Sequence, residues 1–394
     1  MTEMTSRERM LGALNRQDVD HIPCCFMSFT VLRKRLQENL YELAKAERAM
    51  GLDAMLFIPS APRPQRPEHP ELRGLPVRFH PEVKTREWRE AVAGDFDILH
   101  KEYVTPGGKL ATQVRLSDDW PHGDHIPFID DFQVPRAIKP LITQPSDLDA
   151  LQYFLLPPGE SDQARFRQEA QTARAFAQQH QVLLTGGWGV GMDMANWLCG
   201  MQNLMVLVME QPKFVVDLLE MIHVWNRQRM ETVLSAPVDL YLRRAWYEGC
   251  DFVPPAFYRE AILPRLKAEV DLAHAHGAKF GYICSSGTKP MLNYYLEAGI
   301  DVLLAVDPVQ GTHTDLPLLK NKLGKQACLW GGVSGAITVE RGTENEVRTA
   351  VRQAIALLGP NGFILSPVDN ITVDDPRTWQ NIEFFKDEWR RCGK

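Results

Sequence analysis

The sequence has no long apolar run and no cluster of basic residues. No apolar stretch reaches the roughly 20 residues that a helix needs to cross a membrane. The formal net charge is -6, and the lysines and arginines form no run or stripe, which argues against a nucleic-acid partner. The first residues, MTEMTSRERMLGALNRQ, carry charges and lack the apolar core of a signal peptide. These absences predict a cytoplasmic protein.

The cysteines and glycines also lack the spacing of common sites. The seven cysteines are scattered and odd in number, which fits reduced thiols better than a disulfide framework. The glycines of GGWGVG (186–191) do not have the spacing of a dinucleotide-binding fingerprint, and the sequence has no P-loop. The 394 residues, 44% of them hydrophobic, are nevertheless ample for a large core.

Eight short apolar runs, each closed by Gly, Pro, Asp or Ser, predict strands buried on both faces of a parallel sheet. Helical segments alternate with them, and two begin with a capping box, one at Thr5 and Glu8 and one at Thr343 and Glu346. The alternation predicts an α/β fold, a (β/α)8 TIM-type barrel. The runs are HIPCCFMSF (21–29), DAMLFIP (53–59), VLLTGG (182–187), VDLYLRRAW (238–246), KFGYIC (279–284), IDVLLAVDP (300–308), ACLWGG (327–332) and GFILSP (362–367).

The long gap between the second and third runs, about residues 60–180, predicts an insertion. Within it, FDILHKEYVTPGGKLATQVRL (96–116) has the pattern of a β-hairpin that turns at residues 106–108. We predict a single barrel domain over residues 1–394, with the insertion capping the barrel mouth.

Active sites of such barrels lie at the carboxyl ends of the strands. In this chain those ends carry many aromatic side chains, a few acids and one thiol. This combination suits a flat, partly apolar small molecule held by few polar contacts. We predict substrate-binding roles for Phe26, Trp188, Trp197, Trp246, Tyr247, His313 and Asp369.

Glu248 and Asp307 are candidates for catalysis. Glu248, in WYEGCDF, follows the fourth run, where an acid among aromatic side chains can act as acid or base. The alternative is an acid on a solvated loop. Asp307 closes the sixth run ahead of Pro308, at a position where an acid orients a neighbour or a ligand.

Cys284, in KFGYICSSGTKP, ends the fifth run. A thiolate is a good zinc ligand, and catalytic zinc sites usually have three protein ligands. The chain neighbours of Cys284 include no His or second Cys, so Glu248, Cys250 and Asp307 would have to complete a mixed site. The alternative is a small, inert residue that ends a strand.

An ordered series of motifs resembles the uroporphyrinogen decarboxylase superfamily over nearly the whole chain. The resemblance implies a (β/α)8 barrel that is often a homodimer. The superfamily contains the haem-pathway decarboxylase and corrinoid-dependent methyltransferases. The motifs are SRERMLGALNRQDVDHIP, TGGWGVGMDMANWLCG, YEGCDFVPPAFYREAILPRLK, HGAKFGYICSSG, GIDVLLAVDP, LWGGVSG and ERGTENEV.

The residues that match the decarboxylase motifs differ from that branch. Its arginines after strand one are missing from CCFMSFTVLRK, where Arg33 comes several residues later, and its Phe-Ser-Asp stretch is Phe-Ile-Pro (57–59) here. Its Tyr in the strand-three motif corresponds to Trp197, and its His after strand eight falls near Asp369. An octa-acid porphyrinogen needs cationic partners, so these departures argue against that substrate.

The methyltransferase branch holds zinc with a His-x-Cys pair after strand five and a Cys after strand eight. Here the pair is Tyr282-Ile283-Cys284, and Asp369 follows strand eight as a possible oxygen ligand. Some members of this branch demethylate aromatic ethers, and such substrates fit the aromatic side chains at the strand ends. Tyr282 or Glu248 would then donate a proton to the ether oxygen, or a metal at Cys284 would act as Lewis acid.

We therefore predict a methyltransferase that moves a methyl group from a small, methoxylated aromatic donor to a corrinoid protein, with the cobalamin supplied by that partner. One alternative is a decarboxylase that uses Arg33, Arg243 or Arg244. A second is a non-catalytic binder of tetrapyrrole or corrinoid.

Overall fold

The structure, a computed structural model, describes residues 3–58, 71–72, 75–76, 78–311 and 314–394. Its strands are β1 (Met55–Ile58), β2 (Glu71–Leu72), β3 (Leu75–Pro76), β4 (Lys84–Glu90), β5 (Ile98–Thr105), β6 (Gly108–Arg115), β7 (Ala137–Lys139), β8 (Leu183–Gly189), β9 (Leu240–Arg244), β10 (Lys279–Ile283), β11 (Val302–Val306), β12 (Cys328–Ser334) and β13 (Phe363–Val368).

Helices follow most of the later strands. They are α1 (Ser6–Leu14), α2 (Thr30–Arg35), α3 (Leu40–Ala49), α4 (Leu148–Leu151), α5 (Glu160–His180), α6 (Met192–Cys199), α7 (Met201–Glu210), α8 (Pro212–Leu234), α9 (Pro255–Phe257), α10 (Leu263–Ala275), α11 (Leu292–Ala298), α12 (Leu316–Leu323), α13 (Glu344–Leu358) and α14 (Pro376–Cys392). None of the helices in the described ranges is both long and apolar enough to cross a membrane.

A curled, seven-stranded parallel sheet is the centre of the fold, with the strand order β1-β8-β9-β10-β11-β12-β13. Every residue of β9, β11, β12 and β13 is buried, as expected when helices cover both faces of a parallel sheet. The α/β fold is therefore confirmed, and the second to eighth predicted runs each overlap a strand of this sheet.

The first predicted run, 21–29, forms a single bridge instead of a strand. Cys24 pairs with Leu365 in a parallel bridge, and its carbonyl accepts a hydrogen bond from the Asp53 N–H at 2.8 Å. Pro23 has no N–H and so cannot extend the ladder. The segment lies between β13 and the residues before β1, but the eight-stranded barrel stays a prediction.

The described chain divides into two compact units. The first takes in the described residues of Met1–Pro62, Arg167–Gly187 and Val233–Lys394, and thus nearly the whole parallel sheet. The second takes in the described residues of Arg63–Phe166 and Trp188–Thr232. The prediction of one barrel domain with a capping insertion stays a prediction.

The second unit contains an antiparallel sheet in the order β4-β5-β6-β7. The predicted hairpin is confirmed as β5 and β6, with Thr105 paired to Gly108 across a two-residue turn. Side chains of Leu99, Val114, Trp120 and Ile126 form a small core beneath this sheet.

Candidate active site

The predicted catalytic residues lie on three neighbouring strands of the first unit or in the loops that follow them, and two of the three, Glu248 and Tyr282, are in contact. Strands β9, β10 and β11 are adjacent and parallel, so their carboxyl ends lie at one edge of the sheet. Glu248 follows β9, Tyr282 lies in β10, and Asp307 comes directly after β11. Tyr282 is paired in register with Arg243 of β9.

A buried ion cluster centres on Arg243. Its Nη1 donates to Glu248 Oε1 at 2.7 Å, and its Nε donates to Glu269 Oε2 at 2.9 Å. Burial works to lower the pKa of Arg243, yet the carboxylates of Glu248 and Glu269 outweigh burial and hold that pKa well above its usual value. The interpretation of Glu248 as a solvated loop acid is wrong, because the residue is 0% exposed.

A chain of tyrosines continues from Glu248. The Tyr282 hydroxyl donates to Glu248 Oε2 at 2.5 Å and lies 3.1 Å from the Tyr258 hydroxyl. Burial, followed by the charge of Glu248, raises the pKa of both phenols well above the usual value. These phenols therefore keep their protons and serve as hydrogen-bond donors.

Cys284 is buried between a hydroxyl and a carbonyl. Its Sγ accepts a hydrogen bond from Tyr295 at 3.5 Å and donates to the Ser286 carbonyl oxygen at 3.5 Å. Within the described ranges, no group of three or more His, Cys, Asp or Glu side chains could hold a metal ion. The recorded neighbours of Cys284 are thus not zinc ligands. A zinc ion at Cys284 stays a prediction.

Asp307 has one oxygen bound and one without a partner. Its Oδ1 accepts from the backbone N–H of Val309 at 2.7 Å and of Gln310 at 3.0 Å. Its Oδ2 is buried and has no hydrogen-bond partner in the described part of the chain. Gln310 reaches across to the end of β12, where its Nε2 lies 3.5 Å from Ser334 Oγ.

Close backbone packing fixes the loops after β9, β10 and β11. A side chain at Gly249 would place its Cβ 2.0 Å from the Ser286 carbonyl oxygen. At Gly311, which has a φ of +69°, a Cβ would lie 2.1 Å from Ser286 Cβ. Cys250 N–H also donates to the Gly287 carbonyl at 3.0 Å. These contacts leave no room for a side chain at position 249 or 311. They hold the loop that carries Glu248 against the end of β10.

The predicted substrate-binding residues differ in their surroundings. Phe26 is 2% exposed and packs against Phe29 and Phe385, at ring distances of 4.9 Å and 5.5 Å, as a core residue does. Trp246 and Tyr247 are half-buried at the end of β9.

Asp369, after β13, is half-buried with a φ of 67°. Trp188 and Trp197 belong to the second unit, where Trp197 Nε1 donates to Asp131 at 2.8 Å. His313 lies outside the described residues. A substrate-binding role for each of these residues stays a prediction.

The sequence interpretation missed the ion-pair partners of Glu248. The sequence suggests Arg243 only as a cation for substrate carboxylates and suggests no role for Glu269 on α10. The signal was present in LYLRR (240–244), where arginines end an apolar parallel strand. A buried Arg in such a strand needs buried acceptors, because an unpaired charge is too costly to bury.

Comparison with known proteins gives a family and a fold. The family model of uroporphyrinogen decarboxylase (URO-D) matches residues 124–390. A methyltransferase from Methanosarcina mazei has a similar fold over 99% of this chain and 99% of its own, with a TM-score of 0.59 and 15% identity. A B12-independent methionine synthase from Shewanella sp. W3-18-1 is similar over 56% of this chain and 66% of its own, with a TM-score of 0.40 and 12% identity. No curated protein matches the sequence significantly.

Proposed function

The chain belongs to the uroporphyrinogen decarboxylase family, and from this premise we propose that it is a methyltransferase that takes a methyl group from a small methoxylated aromatic compound. The acceptor in this proposal is a corrinoid protein, whose cobalamin supplies the atom that receives the methyl group. A homodimer is part of the same proposal.

The observation that carries the proposal is that two arginines at or near the strand ends are already paired with carboxylates of the protein. Arg243 is 3% exposed and is bound to two carboxylates, so it is not available to bind acidic groups of a substrate. Arg33 forms an ion pair with Glu38 at 2.7 Å. The first two half-buried side chains after β9, those of Trp246 and Tyr247, are instead aromatic. This pattern supports a flat, weakly charged donor over a porphyrinogen with many carboxylates.

The fold adds support of a coarser kind. The Methanosarcina mazei methyltransferase has a similar fold over 99% of this chain and 99% of its own. At 15% identity the likeness concerns the fold alone. The donor and the acceptor are therefore inferred from the strand-end residues.

In the proposed reaction the bond between the methyl carbon and the ether oxygen breaks, and the oxygen keeps the electron pair. The chain must stabilise the charge on that oxygen. Tyr282 and Glu248 are our proposed catalytic pair. The raised pKa of Tyr282 keeps the proton on the phenol. Glu248 Oε2 accepts this single O–H in the structure, so in the proposed reaction the O–H turns from Glu248 to the ether oxygen and stabilises its charge by a hydrogen bond. Arg243 meanwhile holds Glu248 in place.

The test is methyl transfer with the whole purified protein, a Co(I) corrinoid protein and a panel of methoxylated aromatics. The absorbance change of cobalamin and the demethylated product are measured together. We expect both to appear for at least one donor. Formation of neither product from any donor, with a corrinoid protein that is active with another methyltransferase, contradicts the proposal.

The two alternatives have separate readouts. Loss of carboxyl groups from uroporphyrinogen would support the decarboxylase, and a tight spectral titration with cobalamin without turnover would support the binder. Either result, without methyl transfer, would replace the proposal.

A further inference from the structure

Asp307 combines full burial with an oxygen that nothing in the described chain binds. Its side chain is 0% exposed, and Oδ2 has no hydrogen-bond partner among the described residues. Buried polar groups in folded proteins nearly always have a partner, so an exception calls for an explanation. A ligand that donates a hydrogen bond is one such explanation.

The other oxygen shows that the carboxylate is held in place. Oδ1 accepts from two backbone N–H groups, those of Val309 and Gln310. These bonds fix the orientation of the side chain and leave Oδ2 as the remaining acceptor. Because Oδ1 is fully used within the loop, the role of Asp307 as a turn-forming residue does not account for Oδ2.

Strand β11, which leads to Asp307, contains a bulge that sets the direction of the Asp307 side chain. The register between β11 and β12 shifts between Leu304 and Val306, and Ala305 between them has a φ of 65°. Such a bulge adds one residue to the strand and re-aims the side chains that follow, and bulges are frequent next to active sites. Without the extra residue, the side chain of position 307 would alternate to the other face.

The loop that holds Asp307 also contacts one polar side chain of the next strand, β12. Gln310 lies at the Asp307 carboxylate through its backbone N–H and reaches Ser334 Oγ at the end of β12. Ser334 is itself 0% exposed. Gln310 thus links the loop that holds Asp307 to the end of β12.

From these observations we infer that Asp307 is a specificity-determining residue, whose Oδ2 accepts a hydrogen bond from a hydroxyl group of the aromatic substrate. The inference deepens the proposed function and rests on it for the class of substrate. It selects, among methoxylated aromatics, those that also carry a free hydroxyl group.

The test compares two probes, 2-methoxyphenol and 1,2-dimethoxybenzene, which differ in one free hydroxyl group. Binding is measured by isothermal titration calorimetry on the whole protein without a corrinoid protein. We expect the unaltered protein to bind 2-methoxyphenol at least about tenfold more tightly, the usual effect of a hydrogen bond to a charged group. Asp307→Asn should abolish this preference, because it keeps the Oδ1 acceptor and replaces Oδ2 with an NH₂ donor.

Asp315→Asn is the matched control. Asp315 also accepts a backbone N–H, that of Leu318 at 2.9 Å, but as the N-cap of α12. This variant should keep the full preference. Asp307→Asn should also unfold at about the same temperature as the unaltered protein, since it keeps both hydrogen bonds to Oδ1 and exchanges one unpartnered buried polar atom for another. A purely structural residue would lower the unfolding temperature and leave the preference unchanged.

A preference that survives in Asp307→Asn overturns the inference, and so does an unaltered protein that shows no preference or binds neither probe. The titration does not depend on methyl transfer. If transfer fails while the hydroxyl preference depends on Asp307, the proposed function falls and the role of Asp307 stands.

Discussion

At the scale of single residues, the polar groups of the candidate site differ in how many hydrogen-bond and ion-pair partners they have. Arg243 binds two carboxylates and one of them binds Tyr282, so this part of the site is an internally paired network. Asp307 has an acceptor left over. Paired groups position a site, whereas an unpartnered group is better suited to contact a ligand.

Arg243→Met tests how much the buried ion cluster contributes to the free energy of unfolding. The variant leaves Glu248 and Glu269 as buried carboxylates without this cation. Breaking a buried pair in this way costs about 3 to 5 kcal/mol of unfolding free energy. Urea unfolding followed by circular dichroism measures the loss.

The control for Arg243→Met is Arg227→Met. Arg227 pairs with Glu231 at 3.2 Å on the surface of α8, with the two side chains 53% and 50% exposed. Removing an exposed pair of this kind changes stability by only about 0.5 kcal/mol. Equal losses of unfolding free energy in the two variants would show that the buried cluster stabilises the fold no more than an exposed ion pair does.

At the scale of elements, α3 shows an acid on the buried side of a surface helix. Glu47 is 3% exposed, while Glu42 on the same helix is exposed and pairs with Lys45 at 2.8 Å. Burial raises the pKa of Glu47 well above its usual value. The folded protein therefore holds this proton at pH values where the unfolded chain has released it.

The sign of the resulting pH dependence follows from that difference. A carboxyl group with a raised pKa in the folded state favours folding when it is protonated, so its stabilising effect is lost as the pH rises above about 4.5. Glu47→Gln should be more stable than the unaltered protein at pH 7, and the difference should close as the pH falls below about 4.5. Urea unfolding at several pH values measures this.

Glu42→Gln serves as the control on the same helix, with a small effect expected from an exposed group, about 0.5 kcal/mol. If the stability difference between Glu47→Gln and the unaltered protein did not change with pH, Glu47 would not be a buried acid of raised pKa.

Helix starts were predictable and one strand was not. Both predicted capping boxes are confirmed, at Thr5 with Glu8 and at Thr343 with Glu346, because a capping box depends on residues three apart in sequence. The run 21–29 has the composition of a strand but pairs only at Cys24. Strand pairing depends on partners distant in sequence, which composition does not specify.

At the scale of the whole molecule, the distribution of thiols reflects the large core. All seven cysteines are free, and only Cys250 and Cys392 are not buried. Burial raises the pKa of Cys199 and of Cys328 to about 12, which disfavours the reactive thiolate.

We expect an aromatic disulfide reagent to modify no more than two thiols rapidly in the native protein and all seven in urea. The absorbance of the released thiolate counts the modified groups. The double variant Cys250→Ser, Cys392→Ser should show no rapid phase. Rapid modification of more than two thiols would contradict the buried positions, that of Cys284 included.

The sequence by itself determined the α/β class, because both-face burial imposes short apolar runs that end at turn residues, and local caps mark where helices begin. It also placed Glu248, Tyr282 and Asp307 at strand ends, because parallel strands direct those ends to one edge. Only the tertiary structure decided what each of them contacts. Arg243 binds both Glu248 and Glu269, and Asp307 Oδ2 has no hydrogen-bond partner among the residues that the structure describes. Partner choice and burial arise from packing between residues far apart in the chain, and these cannot be read from local pattern.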